Sequence, residues 1–294
     1  GINNIPPKHC TYSCTYCQLG RTMQMTIERR NFYPIEEIIQ SVEQKVKEIQ
    51  AQNDQLDYLT FVADGEPTLD INLGETIDRL RPLGYKIAVI TNASLIWQAD
   101  VRHDLSKADW VSVKIDAITD EIWRKIDRPH GHLNHAEILK GIIRFSNEFR
   151  GQLATETMMV GGFNDTEIES KKIAEFIAQI KPDSAYISIP IRPPAETNVN
   201  KPDETALNVG IQQFLEKAIH AEYLIGYEGD CFSASGNFIK DFLNIISVHP
   251  MRETAVNNLL KKCHATWDEV DKLIKEQKIK RLEYNNDAFF VKKF

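Results

Sequence analysis

Residues 58–68 read Tyr58-Leu59-Thr60-Phe61-Val62-Ala63-Asp64-Gly65-Glu66-Pro67-Thr68. A short apolar run ends in a cluster of acidic, glycine and proline residues. Such a run, bounded by turn signals, reads as a buried strand. The pattern then recurs. A helical stretch from Leu73 to Leu83, broken by Gly84, leads to the strand Tyr85–Ile90 and the stop Thr91-Asn92-Ala93. Another helical stretch ends near Ala108 and leads to Trp110–Asp116. A longer connection with the loop Arg128-Pro129-His130-Gly131-His132 precedes a helix from His135 to Phe149 and a strand from Leu153 to Val160, closed by Gly161-Gly162-Phe163-Asn164-Asp165. A helix to Ile180, the strand Tyr186–Ile189, the turn Arg192-Pro193-Pro194, a helix centred on Phe214 and the strand Tyr223–Tyr227 complete the series. Strands alternating with helices imply a parallel sheet. Gly65-Glu66, Asn92, Asp116, Asn164 and Arg192 all follow strands, where a parallel barrel builds its site. About six core strands fall short of the eight that close such a barrel. The expected fold is therefore an α/β partial (β/α)6 barrel. Its open side should admit a substrate larger than a metabolite.

Upstream, Pro6-Pro7 forbids a helix, and Ile2 and Ile5 suit the end of a strand whose start would lie before Gly1. Cys10-Thr11-Tyr12-Ser13-Cys14-Thr15-Tyr16-Cys17 follows, three thiols spaced C-x3-C-x2-C; the other two cysteines are the distant Cys231 and Cys263. Three close thiolates can hold three irons of a 4Fe–4S cubane and leave the fourth iron open to another ligand. Zinc, completed by His9 or a distant residue, is the competing reading. A helix is expected from Pro34 to Ala51, with Pro34 at its first position.

Composition is that of a soluble protein, 42% hydrophobic and 26% charged. No apolar run reaches the roughly 18 residues of a membrane span, and no secretory signal is seen. The net charge of −7 argues against whole-surface nucleic-acid binding. Five cysteines, three of them clustered, suit a metal site in a reducing compartment, so a cytoplasmic location is expected.

Residues 1–230 read as the barrel, 231–247 as a linker and 248–294 as a separate module. His249-Pro250 makes a break. A helix carrying Met251, Ala255, Leu259 and Cys263 on one face is followed by the capping-box pattern Thr266-Trp267-Asp268-Glu269. A second helix bears Val270, Leu273 and Ile274, and a hairpin turns at Asn285-Asn286-Asp287. This order resembles a winged helix. Residues 261–294 hold nine Lys/Arg and six Asp/Glu, a weak basic bias.

The cysteine motif, followed one strand later by Gly65-Glu66-Pro67, resembles the radical S-adenosylmethionine (SAM) superfamily. Pro6-Pro7-Lys8-His9-Cys10, Arg192-Pro193-Pro194-Ala195-Glu196 and His249-Pro250-Met251-Arg252-Glu253 further resemble a subfamily related to the wybutosine-synthesis enzymes. The chain lacks their second cysteine set. The resemblance implies a 4Fe–4S cluster on Cys10, Cys14 and Cys17, with SAM chelating the open iron. One-electron cleavage of SAM then gives a 5′-deoxyadenosyl radical that takes hydrogen from a substrate. It implies an electron donor such as flavodoxin or ferredoxin, and an RNA or peptide substrate. Matched to this chain, Tyr16 flanks the adenine, and Gly65, Glu66 and Pro67 form the turn that meets the SAM ammonium. Asn92 meets the carboxylate or ribose, Lys114 a carboxylate and Asp116 the ribose hydroxyls, with Glu156 a further polar candidate. Arg192, His130 and Cys231 are candidates on the substrate side. The alternative is a zinc- or iron–sulfur-binding nucleic-acid regulator without SAM chemistry.

Overall fold

The computed structural model describes every residue except 53, 225–228, 231, 233, 286 and 294. Two short parallel segments, β1 (His9–Cys10) and β2 (Gln24–Met25), flank the cysteine loop. Helix α1 (Ile35–Ala51) buries Ile38, Ile39 and Val46 on one stripe. Pro34 stands one residue earlier than expected, as the extended N-cap with ψ 132°.

The centre is a six-stranded sheet of β3 (Tyr58–Phe61), β4 (Lys86–Thr91), β5 (Trp110–Lys114), β6 (Gln152–Met158), β7 (Ser184–Ser188) and β8 (Ala221–Leu224), paired in that order. Every pairing is parallel. Helices α2 (Leu73–Leu80), α3 (Ala99–Leu105), α4 (Asp120–Ile126), α5 (His135–Glu148), α6 (Glu167–Ile180) and α7 (Glu204–Glu216) form the crossovers. Ile87, Ala88 and Val89 are consecutive and all buried, as expected where both sheet faces are covered. Asn134 and Thr166 cap α5 and α6 by accepting from the N–H of Glu137 and Glu169. Helix α4 lies within the connection that had no assigned element. Ile2 makes a parallel bridge to Phe61 beside β3. Among the described residues β3 and β8 are the two edges of the sheet, the open partial barrel that the strand count predicts.

The C-terminal module is larger than expected. Residues 231–247 are not all linker, because α8 (Phe238–Val248) begins at an Asn237 cap and buries Phe238, Phe242 and Ile246. The module continues with β9 (Met251–Arg252), α9 (Glu253–Cys263), α10 (Trp267–Lys275), β10 (Ile279–Tyr284) and β11 (Asp287–Lys292). Met251 therefore lies on a strand rather than on a helix. The sheet order β10-β11-β9 is antiparallel, and Thr266 and Glu269 form the expected capping box. A separate core around Phe242, Val256, Leu259, Leu273 and Phe290 unites these elements.

The module touches both rims of the barrel opening. On the β3 side, Gln52 Nε2 donates to Ala234 O (3.2 Å). Burial pushes the Asp64 carboxyl up to about 6, opposed by nearby Lys292 and by Asn3. On the β7 side, Tyr284 OH donates to Pro190 O (3.0 Å). The open side expected to admit a large substrate is thus crossed by the chain's own C-terminal module. No helix among the described residues is long and apolar enough to cross a membrane.

His249, the C-cap of α8, packs edge-on against Phe232 with ring centroids 5.1 Å apart. Burial, then Arg192, push its pKa from 6.5 down to about 4. The unfolded chain therefore binds this proton more readily than the folded one. The contribution is complete above pH 6.5 and is lost as pH falls towards 4. Urea unfolding should lose about 2 kcal/mol more between pH 7 and 4 in the wild type than in His249→Gln. Parallel pH profiles for the two proteins would contradict this.

Candidate active site

The cysteine loop is laced into the barrel mouth by its backbone. Glu66 N donates to His9 O (3.1 Å), His130 N to Thr11 O (2.8 Å) and Ser13 N to Asp127 O (3.0 Å). Thr15 N donates to Ile126 O (2.8 Å), and Glu196 N to Thr15 O (3.0 Å). The loops after β3, α4 and β7 all grip it. Buried Tyr12 helps, its hydroxyl accepting from Trp123 Nε1 (3.2 Å).

Cys10, Cys14 and Cys17 are free thiols. Burial pushes the Cys10 thiol up to about 12, with Glu66 and Cys17 adding to the rise. Burial, then Asp127 and the other two cysteines, raise Cys14. Three thiolates are unfavourable here unless positive charge sits among them. That is the donor chemistry of an iron–sulfur cluster, whose irons supply the charge. Among the described residues no three His, Cys, Asp or Glu side chains gather round a single ion position. His9, the nearby ligand of the zinc reading, turns Nδ1 to Pro7 O at 3.3 Å.

The turn after β3 presses against this loop. A Cβ at Gly65 would lie 1.8 Å from His9 O, so only glycine fits. Glu66 is 1% exposed and its carboxylate is already occupied. Oε1 accepts from Thr68 N (3.0 Å), Thr68 Oγ1 (2.6 Å) and Thr91 Oγ1 (2.6 Å), and Oε2 from Asn92 N (2.8 Å). Glu66 thus ties the end of β3 to the end of β4. Pro67 is buried at the start of a short 3-10 turn, and its carbonyl accepts from Asn4 Nδ2 (3.1 Å). Asn92 turns to the cysteine loop, donating through Nδ2 to Thr11 Oγ1 (2.8 Å) and Cys10 Sγ (3.6 Å).

Lys114, Asp116 and Glu156 gather one strand further on. Lys114 Nζ meets Glu156 Oε1 at 3.0 Å and stands 5.2 Å from the centre of the Tyr16 ring. Ser188 Oγ donates to the same Glu156 oxygen (2.9 Å). Burial opposes the charge on Lys114, yet Glu156 and Asp116 outweigh it and raise its pKa. Burial likewise disfavours the Glu156 anion, but Lys114, Ser188 and Arg192 hold its pKa down. Asp116 Oδ1 accepts from Met158 N (2.7 Å), and Oδ2 accepts from the Tyr16 hydroxyl. Asn164 bridges the segment just after β5 to the end of β6, donating to Asp116 O (2.7 Å) and Met158 O (2.8 Å).

In Lys114→Met, Glu156 keeps its burial and loses its cation. Leaving one partner of a largely buried pair should cost about 3 kcal/mol in urea unfolding. The double variant Lys114→Met/Glu156→Met should recover most of that loss. An additive double variant would show that the pair is not coupled.

Arg192 reaches in from the end of β7, Nη1 donating to Gln18 Oε1 (2.5 Å) beside Cys17. His130 does not join the site. Its N–H serves the cysteine loop, and its ring packs against His132 with centroids 5.2 Å apart. Arg128, from the same loop, meets Glu196 at 2.5 Å, and Arg21 meets that carboxylate at 2.7 Å. The charge of Arg128 is therefore spent on Glu196, which follows β7. Cys231 lies outside the described residues. Sequence reasoning missed Asp127, whose Oδ1 accepts from Cys14 Sγ (3.3 Å) and Tyr16 OH (3.3 Å).

The comparisons with known proteins agree with this arrangement. The family model of the Radical SAM superfamily matches residues 4–177. The UPF0026 protein MJ1312 of Methanocaldococcus jannaschii is 45% identical over 295 residues, covering 99% of this chain and 91% of that protein. Among solved structures, a radical SAM methyltransferase from Sphaerobacter thermophilus aligns with a TM-score of 0.58 at 16% identity, covering 75% of this chain and 64% of that one. Streptococcus suis SuiB bound to S-adenosylmethionine aligns at 0.56 and 14% identity, covering 84% and 56%. At these identities the two structures speak for the fold alone. The family match runs from before the cysteine loop through α5 and β6 into α6, the same span that builds the gripped loop and its glycine turn, and on that ground the chain belongs to the radical SAM superfamily.

Proposed function

We propose that this chain is a radical SAM enzyme that holds a 4Fe–4S cluster on Cys10, Cys14 and Cys17 and binds SAM beside it. The observation that carries the reading is the close approach of the Gly65 turn to His9 O, at the head of a loop that carries the three free thiols Cys10, Cys14 and Cys17. When bound, the cluster supplies the electron that cleaves SAM to a 5′-deoxyadenosyl radical, which abstracts hydrogen from the substrate. The chain's own residues hold and orient. Because the Glu66 carboxylate is occupied, the backbone carbonyls of the Asp64–Glu66 turn receive the SAM ammonium. Lys114 faces a carboxylate of the ligand, with Glu156 fixing its position. Asp116 retains lone pairs for ribose hydroxyls beyond the two bonds it accepts. Asn92 acts through Cys10 and Thr11, and Tyr16 lines the same wall under Lys114. An acidic one-electron donor such as flavodoxin or ferredoxin supplies the reductant.

The test is anaerobic reconstitution with iron and sulfide. The protein should turn brown and release 5′-deoxyadenosine from SAM under a strong reductant. Zinc without iron in anaerobically purified protein, or no SAM cleavage by iron-loaded protein, would overturn the reading.

A further inference from the structure

Strand β2 lies beside the first of the three cysteines. It runs parallel to β1 with Gln24 opposite His9 and Met25 opposite Cys10, so its backbone is one strand spacing, ~4.8 Å, from Cys10. Among the described residues β2 pairs with β1 alone, which leaves its outer edge open. Both of its residues are exposed; Met25 is 40% exposed and Met23, just before the strand, 65%. Elsewhere the cysteine loop meets the barrel, through the backbone bonds of Thr11, Ser13 and Thr15. On the β2 side a single exposed strand stands between Cys10 and solvent. Two cations flank it. Arg30 lies 4.8 Å over the Phe32 ring, which packs edge-on against the His9 ring at 5.5 Å. Lys280, exposed on β10, stands near Lys8: burial, and after it Lys280, lower the Lys8 pKa against the pull of Cys17. The Lys8 carbonyl in turn accepts from Met23 N (3.2 Å) and Gln24 N (3.1 Å).

We propose that this face, Met23, Gln24 and Met25 between Arg30 and Lys280, docks an acidic one-electron carrier protein. The inference rests on the radical reading for its need of an electron. The carrier gives up one electron to the cluster; no bond is made or broken and no proton moves. Methionine suits such a surface, because its unbranched thioether adapts to a partner's shape. Apolar residues at the centre with charged ones at the rim are the pattern of a specific interface. The charge selects the partner. Residues 1–30 hold four Lys/Arg and one acid, Glu28, in a chain of net −7. Arg21 and Arg29 are paired with Glu196, Asp100 and Asp104, so the positive character of the face rests on Arg30 and Lys280. Neither of these two meets a carboxylate among the described residues. A positive rim steers an acidic partner into place. A second copy of this chain, meeting the first face to face, would set like charges together.

The test uses the reconstituted full chain and two probes, an acidic flavodoxin and an acidic ferredoxin. Calorimetry with the oxidised carriers measures docking without turnover. At least one carrier should bind, more weakly as salt rises. Met23→Glu should weaken that binding about tenfold. Lys280→Glu and Arg30→Glu should each weaken it about threefold at low ionic strength, and less at high salt. Ile168→Glu makes the same change at an exposed apolar residue of α6 and should bind as wild type does. With the reduced carrier, 5′-deoxyadenosine release should fall in step with binding, whereas dithionite should support wild-type release in all four variants. Binding of neither carrier, or wild-type affinity in Met23→Glu, would overturn the proposal. So would a dimer of this chain that Met23→Glu dissociates. Carrier binding as expected in a protein from which neither reductant releases 5′-deoxyadenosine would refute the radical reading and keep the face. Dithionite-driven release in a protein that binds no carrier would refute the face alone.

Discussion

Cys14→Ala should reduce 5′-deoxyadenosine release to background, a loss of more than about a thousandfold, or over about 4 kcal/mol of barrier. The loss follows from ligand number. The loop offers three thiols, and Cys14 is the middle one, packed against Asp127 at 3.3 Å and held between the backbone clamps at Ser13 and Thr15. With two thiolates the cluster has a second unprotected iron, and the remaining ligands face the same burial with less compensation. Iron content should fall with activity. Cys263→Ala is the matched control. That thiol belongs to the module's own core, and its substitution should leave both iron content and SAM cleavage at wild-type levels. Unchanged deoxyadenosine release in Cys14→Ala would rule out the assigned ligand set.

The barrel was legible because its strands are short apolar runs cut off by glycine, proline and asparagine. Five of the six were visible from their own residues; the last, expected at Tyr223–Tyr227, overlaps β8 only at Tyr223 and Leu224, and residues 225–227 lie outside the described residues. Helix α4 was not, because seven residues from Asp120 to Ile126 give too few turns for a period to stand out. Helix α8 was hidden differently. Its spacing of Phe238, Phe242 and Ile246 behind an Asn237 cap is regular, but glycine and serine just before it gave the segment the look of a linker.

At the site, cysteine spacing and a glycine after a strand announce themselves in one dimension. Partnership between distant acids does not. Asp127 and Glu196 are single carboxylates among 42 acidic residues, and only the fold brings them to Cys14 and to Arg128. Direction was equally hidden for Glu66 and Asn92. Both were found by position, yet both turn towards the protein, one to link β3 with β4 and the other to steady Cys10. A strand end identifies which residues stand at the mouth. It does not say whether a side chain meets ligand or loop.

Gly65→Ala should be the most damaging change that leaves every side-chain ligand in place. The added Cβ would fall 1.8 Å from His9 O, 2.7 Å from His9 C and 3.0 Å from Ile5 Cδ1. The first two are backbone atoms, so no rotamer can relieve the overlap. The loops cannot separate freely either, because Lys8 N donates to Asp64 O (2.7 Å) and Glu66 N to His9 O (3.1 Å). Forcing them apart breaks these bonds and moves Cys10 away from Asn92. The expected cost is about 3 kcal/mol or more in urea unfolding, with a reduced iron content after reconstitution. Gly84→Ala separates this steric effect from a glycine's ordinary backbone freedom. Gly84 has φ +80° and no atom within 4 Å of an added Cβ, so alanine there meets backbone strain without a clash. It should cost about 1 kcal/mol and leave iron loading intact. If Gly65→Ala is no less stable than Gly84→Ala and loads iron fully, the close approach of the two loops is not what holds the cysteines in place.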